Sequence, residues 1–227
     1  MWGVKLGLGL TVVSGASAEF ERASNFVDLS DHTPSVLLEL RYATEENFVG
    51  RVIDGYEKPR AWLTKPAADA LNDAQLKLLP MGYGLKLYDA YRPQRAVAHF
   101  VRWAQDLNDT KMKERYYPRV PKSALFERGY IALESGHSRG SAVDVTLVRR
   151  TAQGEWADVD MGSPYDFFGD QSAADSNDVS ARASALRSLL RAVMTTCGFE
   201  AYEQEWWHFG LTEEPYPETY FDFPLDG

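Results

Sequence analysis

Residues 142–148 constrain this chain most, because they place a carboxylate inside a run that is otherwise typical of a buried strand. The run reads Ala-Val-Asp-Val-Thr-Leu-Val, and its one charged residue is Asp144. Burying an ionised carboxylate is unfavourable unless the group is paired or bound to a cation. The sequence therefore predicts a strand that carries Asp144 to a cation or to a partner of opposite charge.

Two histidines are candidate partners for Asp144. His137 lies between two glycines that permit tight turns, and His208 lies among bulky apolar residues near the C-terminus. Each histidine taken alone also fits an ordinary solvated or core residue. A catalytic Zn²⁺ takes three protein ligands and leaves its fourth position to water. His137, Asp144 and His208 would supply such a set for one zinc ion per chain.

Glu205 is the candidate general base, because it precedes His208 by three residues and is not needed as a ligand. Zinc lowers the pKa of a bound water to about 7, and a nearby carboxylate accepts the proton. Residues three apart in a regular strand point to opposite faces. We therefore predict a bulge or a strand end between Glu205 and His208.

A series of short motifs resembles the D-alanyl-D-alanine dipeptidases of the VanX type, in the zinc peptidase family M15 that also holds the D,D-carboxypeptidases. The resemblance runs from about Phe26 to the C-terminus. The motifs are Arg41-Tyr42-Ala43-Thr44, Tyr88-Asp89-Ala90-Tyr91-Arg92-Pro93, Ser135-Gly136-His137-Ser138-Arg139-Gly140-Ser141-Ala142-Val143-Asp144, Met161-Gly162-Ser163, Tyr165-Asp166-Phe167, Gly198-Phe199-Glu200-Ala201-Tyr202 and Glu205-Trp206-Trp207-His208.

The resemblance implies hydrolysis of D-Ala-D-Ala to two D-alanines, with zinc on the three ligands named above and Glu205 as the base. It further implies that Arg92 stabilises the oxyanion. Independently of the family, a guanidinium at the end of a strand can place donors where negative charge develops. An ordinary surface ion pair is the alternative interpretation of Arg92.

Substrate recognition is also inferred from the resemblance. It implies that Asp166 binds the free ammonium of the dipeptide, and that Ser135 and Tyr42 form hydrogen bonds with its ends. An aspartate between aromatic residues also suits a turn or a helix cap, and a serine before glycine also suits a plain turn.

Two other functions stay open at this point. A D,D- or L,D-carboxypeptidase would keep the zinc site, act on longer peptidoglycan peptides, and have no need of Asp166. A non-catalytic zinc-binding module, as in hedgehog-like domains, is disfavoured because Glu205 and Arg92 are both present. For the dipeptidase, the expected role is cell-wall dipeptide turnover or glycopeptide resistance.

The expected fold is a single α+β domain, with an antiparallel-rich sheet flanked by helices as in hedgehog-like D,D-peptidases. A helix should begin after Thr64 and end near Pro80, a second should follow Pro93, and a third should span residues 180–196. Residues 106–129 are charged and irregular and predict a long loop or short helices.

The N-terminus is typical of an export signal. Residues 1–18 contain one lysine, a short apolar stretch and a final Ala-Ser-Ala, which predict a cleaved signal peptide followed by an enzyme domain over residues 19–227. The stretch is too short to span a bilayer, so no transmembrane segment is expected after its removal. We expect a periplasmic or secreted protein, with a cytoplasmic one as the alternative.

The charge of the chain excludes one class of partner. A net charge of -9 and a pI near 5.0 argue against nucleic acid, which favours a basic face. The expected partner is a small D,D-dipeptide. Neither the charge nor the single Cys197 indicates an oligomeric state.

Overall fold

Strands and helices alternate irregularly along residues 25–225, which are the residues that the computed structural model describes. The predicted signal segment at residues 1–18 lies outside them. The strands are β1 (Phe26–Asp28), β2 (Leu37–Leu38), β3 (Trp62–Thr64), β4 (Tyr83–Asp89), β5 (Ala142–Arg150), β6 (Trp156–Asp158), β7 (Phe199–Ala201) and β8 (His208–Leu211). The α-helices are α1 (Leu29–His32), α2 (Lys65–Leu78), α3 (Gln94–Gln105), α4 (Lys113–Tyr116) and α5 (Ala181–Thr196).

The main sheet has six strands. Its order is β2-β4-β5-β8-β7, and β6 pairs with a further part of β5. All of these pairs are antiparallel except β2 with β4. β1 and β3 form a separate antiparallel pair. The predicted α+β class with an antiparallel-rich sheet is therefore confirmed.

The three long helices begin and end close to their predicted positions. α2 follows Thr64 and carries a proline in its first turn, where the missing amide hydrogen is not needed. α5 begins after Ser180, whose hydroxyl accepts a hydrogen bond from the Ala183 amide at 3.1 Å. α2 and α5 pack against each other and against the central strands. This packing buries one face of the sheet beneath the helices.

Strand β5 separates this core from the opposite side of the sheet. Val143, Val145 and Leu147 are buried in the hydrophobic core, and successive side chains of a strand point to opposite faces. Asp144 therefore points to the other face, where it is also buried. Packing of one face of β5 in the core therefore determines the position of the Asp144 carboxylate on the other face.

The segment between α3 and β5 is irregular, as predicted. It contains the short helix α4 and a 3-10 turn at Lys122–Ala124. Lys122 is buried there, and its ammonium donates to the carbonyls of Asp106 and Asp109 at 2.7 and 2.9 Å. Within residues 25–225, none of the helices has the length and apolar character needed to cross a bilayer.

Candidate active site

Three neighbouring strands bring polar side chains into one row. In the register of the sheet, Asp144 of β5 lies opposite Asp89 of β4 on one side and opposite His208 of β8 on the other. Residues directly opposite each other in an antiparallel pair project to the same face. The sheet itself therefore places two carboxylates and one imidazole side by side.

A β-bulge produces this register on the β4 side. Leu87 pairs with Val145, but the next pair is Asp89 with Asp144, so that Tyr88 is an extra residue on β4. Without the bulge Asp89 would project to the core face, because the side-chain period of a strand is two. The bulge thus turns Asp89 toward the polar row.

His137 comes from a short turn that precedes β5. This 3-10 turn spans Gly136–Arg139, and the Ser135 hydroxyl accepts a bond from the His137 amide at 3.3 Å. The Nδ1 atom of the buried His137 ring lies 2.6 Å from the Ala90 carbonyl oxygen. A carbonyl only accepts, so Nδ1 carries the proton and Nε2 is left with its lone pair free for a metal.

The three candidate ligand atoms form a small triangle. His137 Nε2 lies 3.2 Å from Asp144 Oδ1 and 3.1 Å from His208 Nδ1, and these last two atoms are 3.0 Å apart. Ligands about 2.0–2.2 Å from a tetrahedral Zn²⁺ lie roughly 3.3–3.6 Å from one another. Lone pairs of two imidazoles and a carboxylate that converge at this spacing fit a bound divalent cation.

The histidines also determine the charge of Asp144. Burial alone would raise its pKa, but His137 and His208 hold the pKa well below its ordinary value. The carboxylate is therefore ionised and able to act as a ligand. The other described histidines lie elsewhere, since His32 contacts Asp69 at 2.7 Å and His99 contacts Asp54 at 3.0 Å.

Glu205 lies in the turn between β7 and β8, and β8 begins only at His208. Of the two predicted possibilities, the structure therefore has a strand end and not a bulge between Glu205 and His208. The His208 amide donates to the Glu205 carbonyl at 3.2 Å, and this turn lets both side chains line the same pocket. Burial, together with the charges of Asp144 and Asp166, raises the pKa of Glu205 well above its ordinary value. Glu205 is not among the three residues whose ligand atoms converge.

Arg92 is a largely buried residue rather than part of an ordinary surface ion pair. Its Nε and Nη2 atoms lie 2.9 and 2.8 Å from Asp89 Oδ2, and Nη2 is 3.5 Å from Asp144 Oδ2. The guanidinium also lies over the rings of Tyr42 and Phe100, at 5.1 and 5.2 Å. Asp89 in turn accepts a bond from the Tyr56 hydroxyl at 2.6 Å. The side chain of Arg92 is thus held by a charge, a hydrogen bond and two ring faces.

Asp166 has an unusual backbone and an unpaired oxygen. It is the only non-glycine with positive φ in residues 25–225, at 60°, a conformation that aspartate tolerates better than most residues. Its Oδ1 accepts a bond from the Tyr42 hydroxyl at 3.2 Å, while the buried Oδ2 has no hydrogen-bond partner. Burial raises its pKa well above the ordinary value. A buried oxygen without a donor, in a pocket wall, indicates a place for a cationic or donor group.

The predicted site residues all line one cavity of about 300 Å³. They are Tyr42, Arg92, Ser135, His137, Asp144, Asp166, Glu205 and His208. The remaining wall contains apolar side chains, among them Phe48, Val97, Phe100 and Ile131. A cavity of this size fits a small ligand, at the lower end of the usual range of about 300–1,000 Å³.

Ser135 and Tyr42 have defined partners in the structure. The Ser135 hydroxyl accepts from the His137 amide, which agrees with the turn that the sequence also suggested. The Tyr42 hydroxyl contacts Asp166, and the Tyr165 hydroxyl lies 3.1 Å away. Both side chains therefore also support neighbouring site residues.

Sequence reasoning missed Asp89, Tyr56 and Tyr165 as parts of the site. For Asp89 a signal existed, because it is a carboxylate in a largely buried strand, as Asp144 is, and it lies at the last residue of β4. The two tyrosines carry no such signal, because buried tyrosines are common in an aromatic-rich core.

Two imidazoles and one carboxylate, with a separate carboxylate beside them, form the arrangement of a metallopeptidase. Comparison with known proteins agrees. The family model of D-Ala-D-Ala dipeptidases, Peptidase M15, matches residues 22–226. The chain is 44% identical to the D-alanyl-D-alanine dipeptidase of Streptomyces coelicolor over 88% of its own length and 98% of that protein. It is 43% identical to the enzyme of that name from Enterococcus faecium, with the same coverage.

A more distant relative has the same name. The Escherichia coli D-alanyl-D-alanine dipeptidase is 34% identical over 84% of this chain and 86% of that protein. The chain therefore belongs to the D-Ala-D-Ala dipeptidase family of metallopeptidases, and the resemblance found in the sequence is confirmed.

Proposed function

We propose that this protein is a zinc dipeptidase that hydrolyses D-Ala-D-Ala to two D-alanines. The observation that carries the proposal is the convergence of His137 Nε2, Asp144 Oδ1 and His208 Nδ1 within 3.0–3.2 Å of one another, in a cavity that Glu205 also lines. Family membership supports the substrate class.

These three residues would hold the metal. When bound there, Zn²⁺ supplies Lewis-acid chemistry, because it polarises a carbonyl oxygen and lowers the pKa of water. The donor set favours zinc over magnesium or calcium, since those ions prefer oxygen ligands alone.

Glu205 would move the proton. Its side chain lines the cavity beside His208 and stays free of the ligand triangle. In the proposed reaction the carboxylate takes a proton from the attacking water and returns it to the amine nitrogen of the departing D-alanine.

Arg92 would stabilise the negative charge that develops on the amide oxygen. The ion pair with Asp89 and the two ring faces fix the guanidinium before the substrate arrives. Preorganised donors of this kind stabilise a transition state without further reorganisation.

Asp166 would bind the free ammonium of the dipeptide. Its Oδ2 is buried and lacks a donor, and an ammonium would supply one together with the opposite charge. The small cavity and this carboxylate favour a free dipeptide over a longer peptide, in which the corresponding nitrogen is an uncharged amide.

The test compares D-Ala-D-Ala with its N-acetylated form in kcat/KM. A charge-assisted hydrogen bond contributes about 1.5–3 kcal/mol, which equals roughly 10–150-fold in kcat/KM. In the natural protein, kcat/KM for the free dipeptide should exceed that for the acetylated form by at least about 10-fold. In Asp166→Asn the ratio of these two kcat/KM values should be smaller. Asp170→Asn is the control, because that side chain is 88% exposed and its ion-pair contact, to Arg128 at 3.8 Å, is long. Rapid hydrolysis of the blocked substrate would favour the D,D- or L,D-carboxypeptidase instead.

We also propose that residues 1–18 direct export, and that the enzyme acts in cell-wall dipeptide turnover or glycopeptide resistance. The Ala-Ser-Ala sequence at residues 16–18 supports export, and the family match begins only at residue 22. Mass spectrometry of the protein isolated from its host should find Glu19 as the first residue. A chain that begins at Met1 and remains in the cytoplasm would contradict export.

A further inference from the structure

The hydroxyl of Tyr165 lies between the candidate metal ligand and the candidate ammonium site. Its oxygen is 2.9 Å from Asp144 Oδ2 and 3.1 Å from the Tyr42 hydroxyl oxygen. Tyr42 continues the series, because its hydroxyl lies 3.2 Å from Asp166 Oδ1. All four side chains are buried. Two phenols thus connect two carboxylates that the proposed function uses for different tasks.

The two oxygens of Asp144 have different surroundings. Oδ1 faces both imidazoles, at 3.2 Å from His137 and 3.0 Å from His208. Oδ2 points away from them, toward Tyr165, with the Arg92 guanidinium at 3.5 Å. The bond from Tyr165 therefore selects which oxygen of the carboxylate faces the metal site. Such hydrogen bonds to a ligating carboxylate orient it for the metal.

The number of protons assigns the two phenols to different carboxylates. The series contains three short contacts but only two hydroxyl protons. A carboxylate that binds a metal is ionised and can only accept, so Asp144 Oδ2 needs the proton of Tyr165. Asp166 is also ionised once it binds the ammonium of the dipeptide, and it then needs the proton of Tyr42. Both ends are satisfied together when Tyr165 donates to Asp144 and Tyr42 donates to Asp166. The contact between the two phenol oxygens is then the one without a proton.

The ring of Tyr165 is held independently of its hydroxyl. It stacks on Tyr88, the bulged residue of β4, with ring centres 4.4 Å apart and planes at 15°. It also packs edge-to-face with Trp207, with ring centres 5.5 Å apart. A phenylalanine at position 165 would keep both aromatic contacts, so its effect would report on the hydroxyl alone.

We propose that Tyr165 is a positioning residue for the metal, whose hydroxyl holds Asp144 so that Oδ1 faces the two histidines, while Tyr42 serves Asp166. This inference rests on the proposed function and deepens it. Tyr165 and Asp144 then determine the affinity for the metal, whereas Tyr42 and Asp166 determine the affinity for the dipeptide.

The experiment measures zinc affinity of the metal-free protein by competition with a chromophoric chelator. Loss of an outer hydrogen-bond partner of a metal ligand weakens metal affinity by about 10–100-fold. We expect this loss in Tyr165→Phe and a change of less than about twofold in Tyr42→Phe. Tyr117→Phe is the matched control, because it removes a buried hydroxyl that contacts the Asp109 carbonyl and does not line the cavity. Thermal unfolding of each metal-free variant verifies that the fold is intact.

Steady-state kinetics at saturating zinc give the second readout. Tyr42→Phe should raise KM for D-Ala-D-Ala, because Asp166 loses its donor, whereas Tyr165→Phe should leave KM within about twofold of the natural protein. The inference is overturned if Tyr165→Phe binds zinc as tightly as the natural protein, or if both variants lose zinc affinity equally. Failure of the natural protein to bind zinc or to hydrolyse the dipeptide would instead contradict the proposed function.

Discussion

Asp144 Oδ1 and His208 Nδ1 lie 3.0 Å apart on adjacent antiparallel strands, directly opposite each other in register. This contact joins the two halves of the site, because residues 135–150 and the β7–β8 hairpin are far apart in the chain. The sheet creates the contact, and His137 adds the third ligand from the turn before β5. Different residues serve metal binding, acid–base chemistry and the stability of this turn. Single substitutions should therefore change each of these properties separately.

Glu205→Gln should abolish hydrolysis and keep the metal. The amide has the same shape but cannot accept a proton from water, and general acid–base catalysis contributes about 10²–10⁴-fold to the rate. We expect kcat for D-Ala-D-Ala to fall by this factor, with zinc stoichiometry unchanged by elemental analysis. Glu203→Gln is the control, because this residue is exposed and lies outside the cavity lining. A variant that loses zinc would show that Glu205 is a ligand.

Asp89→Asn should lower both stability and activity. Asp89 is buried and is the partner of Arg92, and breaking a buried ion pair destabilises a protein by about 3–5 kcal/mol. Urea unfolding should show a loss of this size, and kcat should fall because Arg92 is no longer held in place.

Asp222→Asn is the comparison for Asp89→Asn. It weakens the half-buried pair with Arg95, which lies outside the cavity lining. Asp222→Asn should leave kcat unchanged. An Asp89→Asn protein with normal stability and normal kcat would contradict the positioning of Arg92.

Gly140→Ala should destabilise the turn that carries His137. Gly140 ends this turn with φ at +77°, and a Cβ atom at this position would overlap the ring of Phe26. Backbone strain alone costs about 1–3 kcal/mol, and the clash adds to it. Gly154→Ala separates the two effects, because its φ is +85° with nothing within 4 Å of the added Cβ. In urea unfolding Gly140→Ala should lose more stability than Gly154→Ala, and equal losses would contradict a clash with Phe26.

Much of the fold was predictable because its signals are local. The periods of α2 and α5, the cap at Ser180 and the apolar run of β5 each arise from neighbouring residues. The candidate ligands were predictable because a carboxylate in a buried strand requires a partner. The need for a bulge or a strand end before His208 followed from the same geometry, because Glu205 and His208 had to project to one side, and the structure has the strand end.

Other features depend on contacts between distant segments and have no local signal. The bulge at Tyr88 is visible only in the pairing of β4 with β5. The partners of Arg92 and Tyr165 are likewise set by how the strands and loops pack. The positive φ of Asp166 arises in a loop whose sequence also fits an ordinary turn.

A zinc titration of the metal-free protein, with D-alanine release as the readout, tests directly whether His137, Asp144 and His208 hold a catalytic zinc. One equivalent of zinc should restore hydrolysis of D-Ala-D-Ala in the natural protein, and His137→Ala and His208→Ala should bind no zinc at that concentration and remain inactive. His99→Ala should behave as the natural protein does, because its partner is Asp54 outside the cavity. Full activity of the metal-free protein, or one tightly bound zinc in His137→Ala and His208→Ala, would contradict a catalytic zinc held by these two histidines.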